Sequence, residues 1–297
     1  MSDLIQAVGL GEVLWDLLPS GPQLGGAPAN FACHAAALGA ETSVISRVGS
    51  DPLGWQALDL LKQRGLDVSA VGVDPVLPTG TVEVTVDSGG SPSFSIREDV
   101  AWDGIIVDAP ALERVRRAGV ICFGSLAQRT PRSANAVHDL LAVAPRDALR
   151  IFDINLRAPF LSRGVVVRSL QSATVLKLNE AELPVLAGWF DLRGTMQEQL
   201  DALGRRFGLE GIALTLGAAG SRFWRSGQWW EASARPVAVR DAVGAGDSFT
   251  AALAIGWLRG WEMPAILAAA TEVAGYVCTQ SGATPRLPDE LTRRFRE

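Results

Sequence analysis

Lysine is nearly missing from this chain: among 297 residues it occurs only at Lys62 and Lys177, and arginine supplies the rest of the positive charge. Neither lysine closes a Gly-x-x-x-x-Gly-Lys-Ser/Thr run, so a Walker-type phosphate loop is excluded, as is the Val-Ala-Ile-Lys strand of protein kinases. Histidine is equally scarce. His34 and His138 have no Cys or His partner at metal spacing, which argues against a zinc site or a histidine-based triad. Cys33, Cys122 and Cys278 are odd in number, far apart and set among apolar or small residues, so they read as buried thiols of a reducing compartment. No apolar run reaches the length of a membrane span, and Asp3 stands where a secretory signal would place positive charge, with Glu12 and Asp16 soon after. The expected location is cytoplasmic. A formal net charge of −5 offers no basic surface to nucleic acid or to an anionic membrane. Gly9-Leu10-Gly11 begins like a dinucleotide fingerprint, but Leu14 fills the place of the third glycine, and the oxidoreductase reading fails.

What is present is a core-rich chain, 48% hydrophobic and 20% charged, enough for one large domain over residues 1–297 with an appendage. Short apolar runs (Ile5 to Leu10, Thr42 to Val48, Val120 to Phe123, Arg150 to Ile154, Thr174 to Leu178, Ile212 to Leu216) alternate with helical stretches. The helical stretches are Phe31 to Leu38, Pro52 to Arg64, Pro131 to Val143, Glu180 to Ala187 and Thr195 to Phe207. That alternation predicts an α/β fold with a mainly parallel sheet covered on both faces. Arg222 to Trp224 and Gln228 to Trp230, joined around Ser226-Gly227, predict a hairpin on the sheet edge. Thr79 to Val86 breaks the pattern by strict alternation. It turns at Ser88-Gly89-Gly90-Ser91-Pro92 and returns over Ser93 to Arg97. With Leu14 to Gln23 it would make a small β-sheet, read as a lid (about 12–28 and 78–103) over the crevice at the carboxyl ends of the parallel strands.

Asp241-Ala242-Val243-Gly244-Ala245-Gly246-Asp247-Ser248 opens into an alanine-rich helix. The first amides of a helix lack intrahelical partners, and glycines let them close on an oxyanion. A carboxylate there would repel a bound phosphate, unless Asp247 faces the group that attacks the phosphate and takes its proton. Gly244, Ala245 and Gly246 are then an anion hole and Asp247 a general base, while Ser248 could cap the helix. Asp16 lies just past the first strand, where open α/β sheets bind ligands, and a carboxylate suits vicinal sugar hydroxyls; it also reads as a solvated loop aspartate. Arg97 and Trp102, at the return of the small hairpin, read equally as a closing cation with an apolar wall or as an exposed charge with a core tryptophan. Asp153-Ile154-Asn155-Leu156-Arg157 ends a buried strand, where polar groups are expensive without partners. Trp189, Trp224, Trp229, Trp230, Trp257 and Trp261 receive no role.

The segment from Asp241 to Thr250 resembles the C-terminal signature of the ribokinase-like (PfkB) carbohydrate kinases, and Gly25-Gly26-Ala27-Pro28-Ala29-Asn30-Phe31-Ala32 resembles their N-terminal one. Leu38-Gly39-Ala40, Arg47 to Gly54, Asn179-Glu180-Ala181-Glu182 and Thr215 to Gly220 follow in the order of that family, so the likeness spans nearly the whole chain. It implies a three-layer ribokinase-like sandwich with a β-lid and an ATP-dependent sugar kinase acting on a primary hydroxyl. Asp16, Gly25, Gly26 and Asn30 would line the sugar pocket, and Asn155 and Arg157 would lie beside substrate or transferred phosphate. Asn179 and Glu182 would hold waters on Mg²⁺, although Glu182 also reads as an ordinary first-turn acid. Thr215, Gly217 and Gly220 would form the nucleotide side with Gly244 and Gly246. Carbonyls near Asp241, Val243 and Gly282 would converge on K⁺. Gly11 to Asp16 and Asp153-x-Asn155-x-Arg157 look most like fructokinases, with 2-keto-3-deoxygluconate kinase next and a sugar- or nucleotide-sensing protein on the same scaffold as the non-enzymatic alternative. A homodimer through the lid completes the expectations.

Overall fold

The structure, a computed structural model, describes residues 4–18, 21–86 and 92–297. In chain order the elements are β1 (Gln6–Leu10), β2 (Leu14–Leu18), β3 (Gly21–Gly25), α1 (Ala27–Ala37), β4 (Glu41–Gly49), α2 (Pro52–Gln63), β5 (Val71–Asp74), β6 (Gly80–Val86) and β7 (Pro92–Ile96). Then follow α3 (Ala109–Arg116), β8 (Val120–Gly124), α4 (Pro131–Ala142), β9 (Leu149–Asp153), α5 (Arg163–Ser172), β10 (Val175–Asn179), α6 (Leu183–Phe190) and α7 (Met196–Phe207). The chain continues through β11 (Gly211–Thr215), β12 (Ser221–Arg225), β13 (Gln228–Ala232), α8 (Ala245–Leu258), α9 (Met263–Cys278) and α10 (Asp289–Arg296).

Nine strands form the main sheet in the order β13-β12-β11-β10-β9-β8-β1-β4-β5. Pairing is parallel from β11 to β5 and antiparallel only around β12, so the predicted edge hairpin is present. Its turn uses Ser226 (φ 51°) and Gly227 (φ 81°), the pair of positive φ values a two-residue hairpin loop requires. Side chains alternate across the sheet and pack on its two faces. Val8, Ile121, Phe123 and Leu176 pack on the layer of α3 to α7, whereas Ala7, Val120, Cys122 and Val175 pack on that of α1, α8 and α9. Burial on both faces is what the continuous apolar strands demanded, and it makes three layers.

β3-β2-β6-β7 form the second, small sheet. Two antiparallel hairpins are joined by a parallel β2–β6 pair, as in Leu14 with Gly80. The predicted turn at 88–91 lies outside the described residues. Helix α1 starts at Ala27 rather than Phe31, because Pro28 costs no hydrogen bond in a first turn. Helix α6 starts at Leu183 rather than Glu180, because Asn179 to Glu182 form a turn of their own. Elements α3, α5, α9, α10 and β5 were not expected. Of these, α9 packs Ile266, Leu267, Ala269, Ala270 and Val273 into one core, a buried pattern with little amphipathic period. Cys33 and Cys122 are buried as expected; Cys278, in the last turn of α9, is half-buried instead. Among the described residues, no helix is long and apolar enough to cross a membrane.

Candidate active site

The carboxyl ends of β1, β9 and β10 meet the N-termini of α1 and α8, and the polar residues of the chain gather there. Helix α8 begins on Gly244, whose φ of 80° is left-handed. A Cβ at Gly244 would strike the Ala283 carbonyl, so only glycine lets the turn sit against the loop at 281–284. Gly246 follows one residue into the helix, where a Cβ would stand 2.8 Å from Lys177 Nζ. Ser248 does not cap the helix: its hydroxyl donates back to the Ala245 carbonyl at 2.8 Å, which leaves the first amides without a side-chain partner.

Asp247, in the first turn of α8, accepts a hydrogen bond from Asn30 Nδ2 on α1 at 2.9 Å. The two signatures, 217 residues apart, thus touch through these two side chains. Burial first, and then the charge of Asp153, push the Asp247 carboxyl up to about 6, against the opposing pull of Asn30, Lys177 and Arg157.

Beneath lies a buried ion pair that sequence reasoning missed. Lys177 Nζ on β10 reaches both carboxylate oxygens of Asp153 on β9 at 3.1 Å, and Asp153 also accepts from Thr250 Oγ1 at 3.2 Å. Burial alone would draw the Lys177 ammonium down, but Asp153, Glu182 and Asp247 hold it above its ordinary value. The signal was available: one of only two lysines falls at the end of an apolar strand, a place of no use to a solvated side chain. Glu182 is buried, and its two oxygens accept from the amides of Leu156 and Asn179, each at 2.8 Å. Burial and the Asp153 charge raise its carboxyl. Asn179 returns the contact, accepting through Oδ1 from the amides of Ala181 and Glu182. Asn179 and Glu182 therefore lock the turn after β10.

On the small-sheet side, Asp16 pairs across β2–β3 with Gln23, and its Oδ2 lies 2.6 Å from where a Cβ on Gly25 would be. Burial lifts the Asp16 carboxyl to about 6, with Arg157 pulling it down and Asp241 adding to the rise. Asn155 adopts a left-handed φ of 41°, unusual for a residue with a side chain, at the turn out of β9. Arg157 is exposed, yet its charge acts on Asp16, Glu12 and Asp247 together. Of the two readings of Trp102, the structure shows the core tryptophan and corrects the apolar wall: the side chain is wholly buried. The Arg129 guanidinium stacks 3.9 Å from the centre of its ring while pairing with Asp103 at 2.7 Å and donating to the Arg97 carbonyl. The electron-rich face of so large a ring makes it a good seat for a cation. The Arg97 residue itself is exposed.

On the far side, Thr215 ends β11, and Gly217 (φ 53°) and Gly220 (φ 103°) shape the turn into β12. Asp241 stitches two loops together, accepting from the Val243 and Gly282 amides at 3.0 Å each. His34 Nε2 meets the Ala283 carbonyl at 2.9 Å and Arg64 donates to that of Thr284 at 2.7 Å. Burial lowers His34 to about 4, so it is neutral at physiological pH and Nε2–H is the donor.

The glycine-lined N-terminus of α8, the Asp247 carboxylate in its first turn and the Asp16 carboxylate of the small sheet thus gather at one end of the parallel strands. The family model for pfkB family carbohydrate kinases matches residues 22–290, and the chain belongs to that family. It is similar to the fructokinase of Klebsiella pneumoniae, 32% identical over 96% of this chain and 97% of that one. It is also similar to an uncharacterized sugar kinase from Pyrococcus horikoshii crystallised with ATP, at 27% identity, a TM-score of 0.79 and 94% of both chains covered. A fructokinase from Vibrio cholerae O395 with fructose, ADP and calcium ion bound superposes with a TM-score of 0.81 at 25% identity, covering 99% of each chain. A double mutant of that enzyme has been solved with fructose, ADP and potassium ion. The chain is accordingly an ATP-dependent carbohydrate kinase.

Proposed function

We propose that this kinase phosphorylates fructose to fructose 6-phosphate. The observation that carries the reading is the contact of Asp247 with Asn30, which sets a carboxylate of raised basicity at the mouth of an anion-binding turn. Asp16 and Asn30 hold the sugar with its primary hydroxyl toward Asp247, and Gly25 and Gly26 let it approach the backbone. As the new O–P bond forms, Asp247 takes the hydroxyl proton and the β-phosphate leaves as ADP. The amides of Gly244, Ala245 and Gly246 face the charge on the transferred group. Thr215, Gly217 and Gly220 flank the nucleotide, and the small sheet, with Arg97 at its edge, closes over the sugar. Among the described residues no three His, Cys, Asp or Glu side chains gather as a metal site. The donor set fits a hydrated Mg²⁺, with Asn179 and Glu182 behind its waters, and the ion supplies screening of phosphate charge when bound. Asp241 fixes the Val243 and Gly282 amides, so the same two loops present carbonyls for a potassium ion.

Support for fructose comes from the likeness to the Klebsiella and Vibrio fructokinases. A second reading, 2-keto-3-deoxygluconate, is favoured by Arg157, an exposed cation whose charge acts on Asp16 and which suits a sugar carboxylate. An ADP-release assay over fructose, ribose, 2-keto-3-deoxygluconate and nucleosides, run in potassium and in tetramethylammonium at equal ionic strength, tests both. Fructose is expected to give the highest kcat/KM, with faster turnover in potassium. Preference for the acid sugar sinks the fructose assignment, and equal rates in the two salts sink the potassium site.

The division between sugar and nucleotide halves has its own test. Asp16→Ala strands the sugar hydroxyls and should weaken sugar binding by about 2 kcal/mol or more, the scale of hydrogen bonds to a charged group. ATP affinity should stay within a factor of about two of wild type, since Asp16 lies on the small sheet while Thr215 and Gly217 follow β11 of the main sheet. Calorimetric titration of each ligand decides. Parallel losses of both would show that the halves are not separate.

A further inference from the structure

Glu12 is left unused by this mechanism, and it is the most unusual side chain near the crevice. It follows β1, between the parallel sheet and the small one, and is 2% exposed. Its Oε1 accepts the Ala27 amide at 3.3 Å, an otherwise unpaired donor in the first turn of α1. Gly26 packs so closely that a Cβ there would strike the Glu12 carbonyl. Its Oε2 is fully buried and has no hydrogen-bond partner among the described residues. Two charged groups act on the carboxyl: Asp247 on α8, which opposes its ionisation, and Arg157 in the loop after β9, which favours it. The exposed Arg157 is a weak counter-ion, because water screens it.

We propose that Glu12 is a positioning residue of the sugar site, held as a neutral carboxylic acid whose Oε2–H is donated to a hydroxyl oxygen of the bound sugar. The inference rests on the reading of the crevice as a sugar site. Its physical basis is an accounting of hydrogen bonds. A buried polar atom without a partner is costly, and one beside a crevice gains most from a ligand that supplies the partner. Oε1 already accepts an amide proton, so the acid proton belongs on Oε2, and a protonated oxygen needs an acceptor. The protein supplies none among the described residues. The glycines just above Glu12 and Asn30 one turn into α1 are the residues assigned to the sugar, so the missing acceptor is a ligand hydroxyl. Burial, and then repulsion by Asp247, raise the Glu12 carboxyl to about 7, against the pull of its own and the Ala27 amide, which agrees with retention of the proton. A second effect follows: a neutral Glu12 leaves Asp247 as the one ionised carboxylate of this pair, and so as the base. The proton stays on Glu12 throughout the reaction.

The test compares Glu12→Gln and Glu12→Leu with wild type, using whichever sugar the wild type phosphorylates. Kcat, KM for sugar and for ATP, and pH profiles from 5.5 to 9 are measured, with thermal melts to verify folding. Glutamine keeps the acceptor for Ala27 and offers an N–H donor where the acid offered O–H. It should hold kcat/KM for the sugar within about threefold. Wild-type kcat/KM should decline above roughly pH 7, where Glu12 ionises, and that decline should vanish in the glutamine variant. Leucine should raise KM for the sugar by about 10–100-fold with KM for ATP unchanged. A glutamine variant as impaired as the leucine one overturns the proposal, because it would mean that an ionised carboxylate is required. So does an alkaline limb that survives in glutamine, or a leucine variant with normal KM for the sugar. If leucine fails to fold, the glutamine rescue and its pH profile still decide. A wild type that phosphorylates no sugar would refute the reading of the crevice as a sugar site and, with it, the sugar hydroxyl assigned to Glu12, whereas the variant outcomes overturn the Glu12 role alone.

Discussion

Replacing Asp247 by asparagine is expected to lower kcat by about 10²–10⁴-fold, the range for removal of a positioned acid–base group, while KM for the sugar and for ATP hardly move. Asparagine keeps the size and the contact with Asn30 but cannot take a proton. The fold should not suffer. Burial and Asp153 raise the carboxyl to about 6, so its charged form is disfavoured in the folded chain, and above that pH a neutral isostere should leave Tm unchanged or raise it. An inactive and equally stable variant is therefore the signature of a group kept for chemistry. In the wild type the base must be ionised, so kcat should rise about tenfold per pH unit below pH 6 and flatten above it. Near-normal kcat in Asp247→Asn, or the same acid limb persisting in it, would remove Asp247 from the reaction.

Lys177→Met is the change expected to cost most in stability. It leaves Asp153 buried with a single hydroxyl partner, Thr250, and breaking a buried pair from one side costs about 3–5 kcal/mol. For a chain of this size that is a fall in Tm on the order of 10 °C. The double variant Lys177→Met with Asp153→Asn should recover much of that loss, because no uncompensated charge remains. In the single variant the acid limb of the rate profile moves to higher pH, because Lys177 is one of the cations that favour ionised Asp247. In the double variant it should move back, because Asp153, the charge that lifts the Asp247 carboxyl most, is gone as well. Scanning calorimetry on the singles and the double, with pH–rate profiles, checks both parts. Strict additivity of the two stability changes would mean that the pair is not coupled.

The sequence disclosed the parallel sheet because its strands are buried on both faces and so appear as unbroken apolar runs. It disclosed the small sheet because Thr79 to Val86 alternates with period two. Elements without a period of their own stayed hidden: α9, buried on most sides, and β5, four residues at the sheet edge. Around the crevice, backbone requirements were legible, since Gly244 and Gly246 sit where a side chain would collide. Pairings between distant residues were not. Lys177 with Asp153, Arg129 over Trp102, and Asp241 across to Gly282 join positions 24, 27 and 41 residues apart. Such partners are fixed by which strands and loops become neighbours, and a linear chain does not carry that information locally. Trp102 shows the cost: read along the chain it stood equally as an apolar wall and as a core tryptophan, and only the packed ring, seated under an arginine, decides for the core.

With Lys177 enclosed, Lys62 is the one lysine side chain that solvent reaches, in the last turn of α2. Two residues on, Arg64 grips the Thr284 carbonyl in the loop that Asp241 fastens through Gly282. Lysine-directed acylation thus has a single side-chain target, and a fluorophore or a surface linkage attached there would sit one short stretch of backbone from the loops that Asp241 joins. A dye at Lys62 becomes a reporter of their ordering, read in the emission of a uniformly labelled protein.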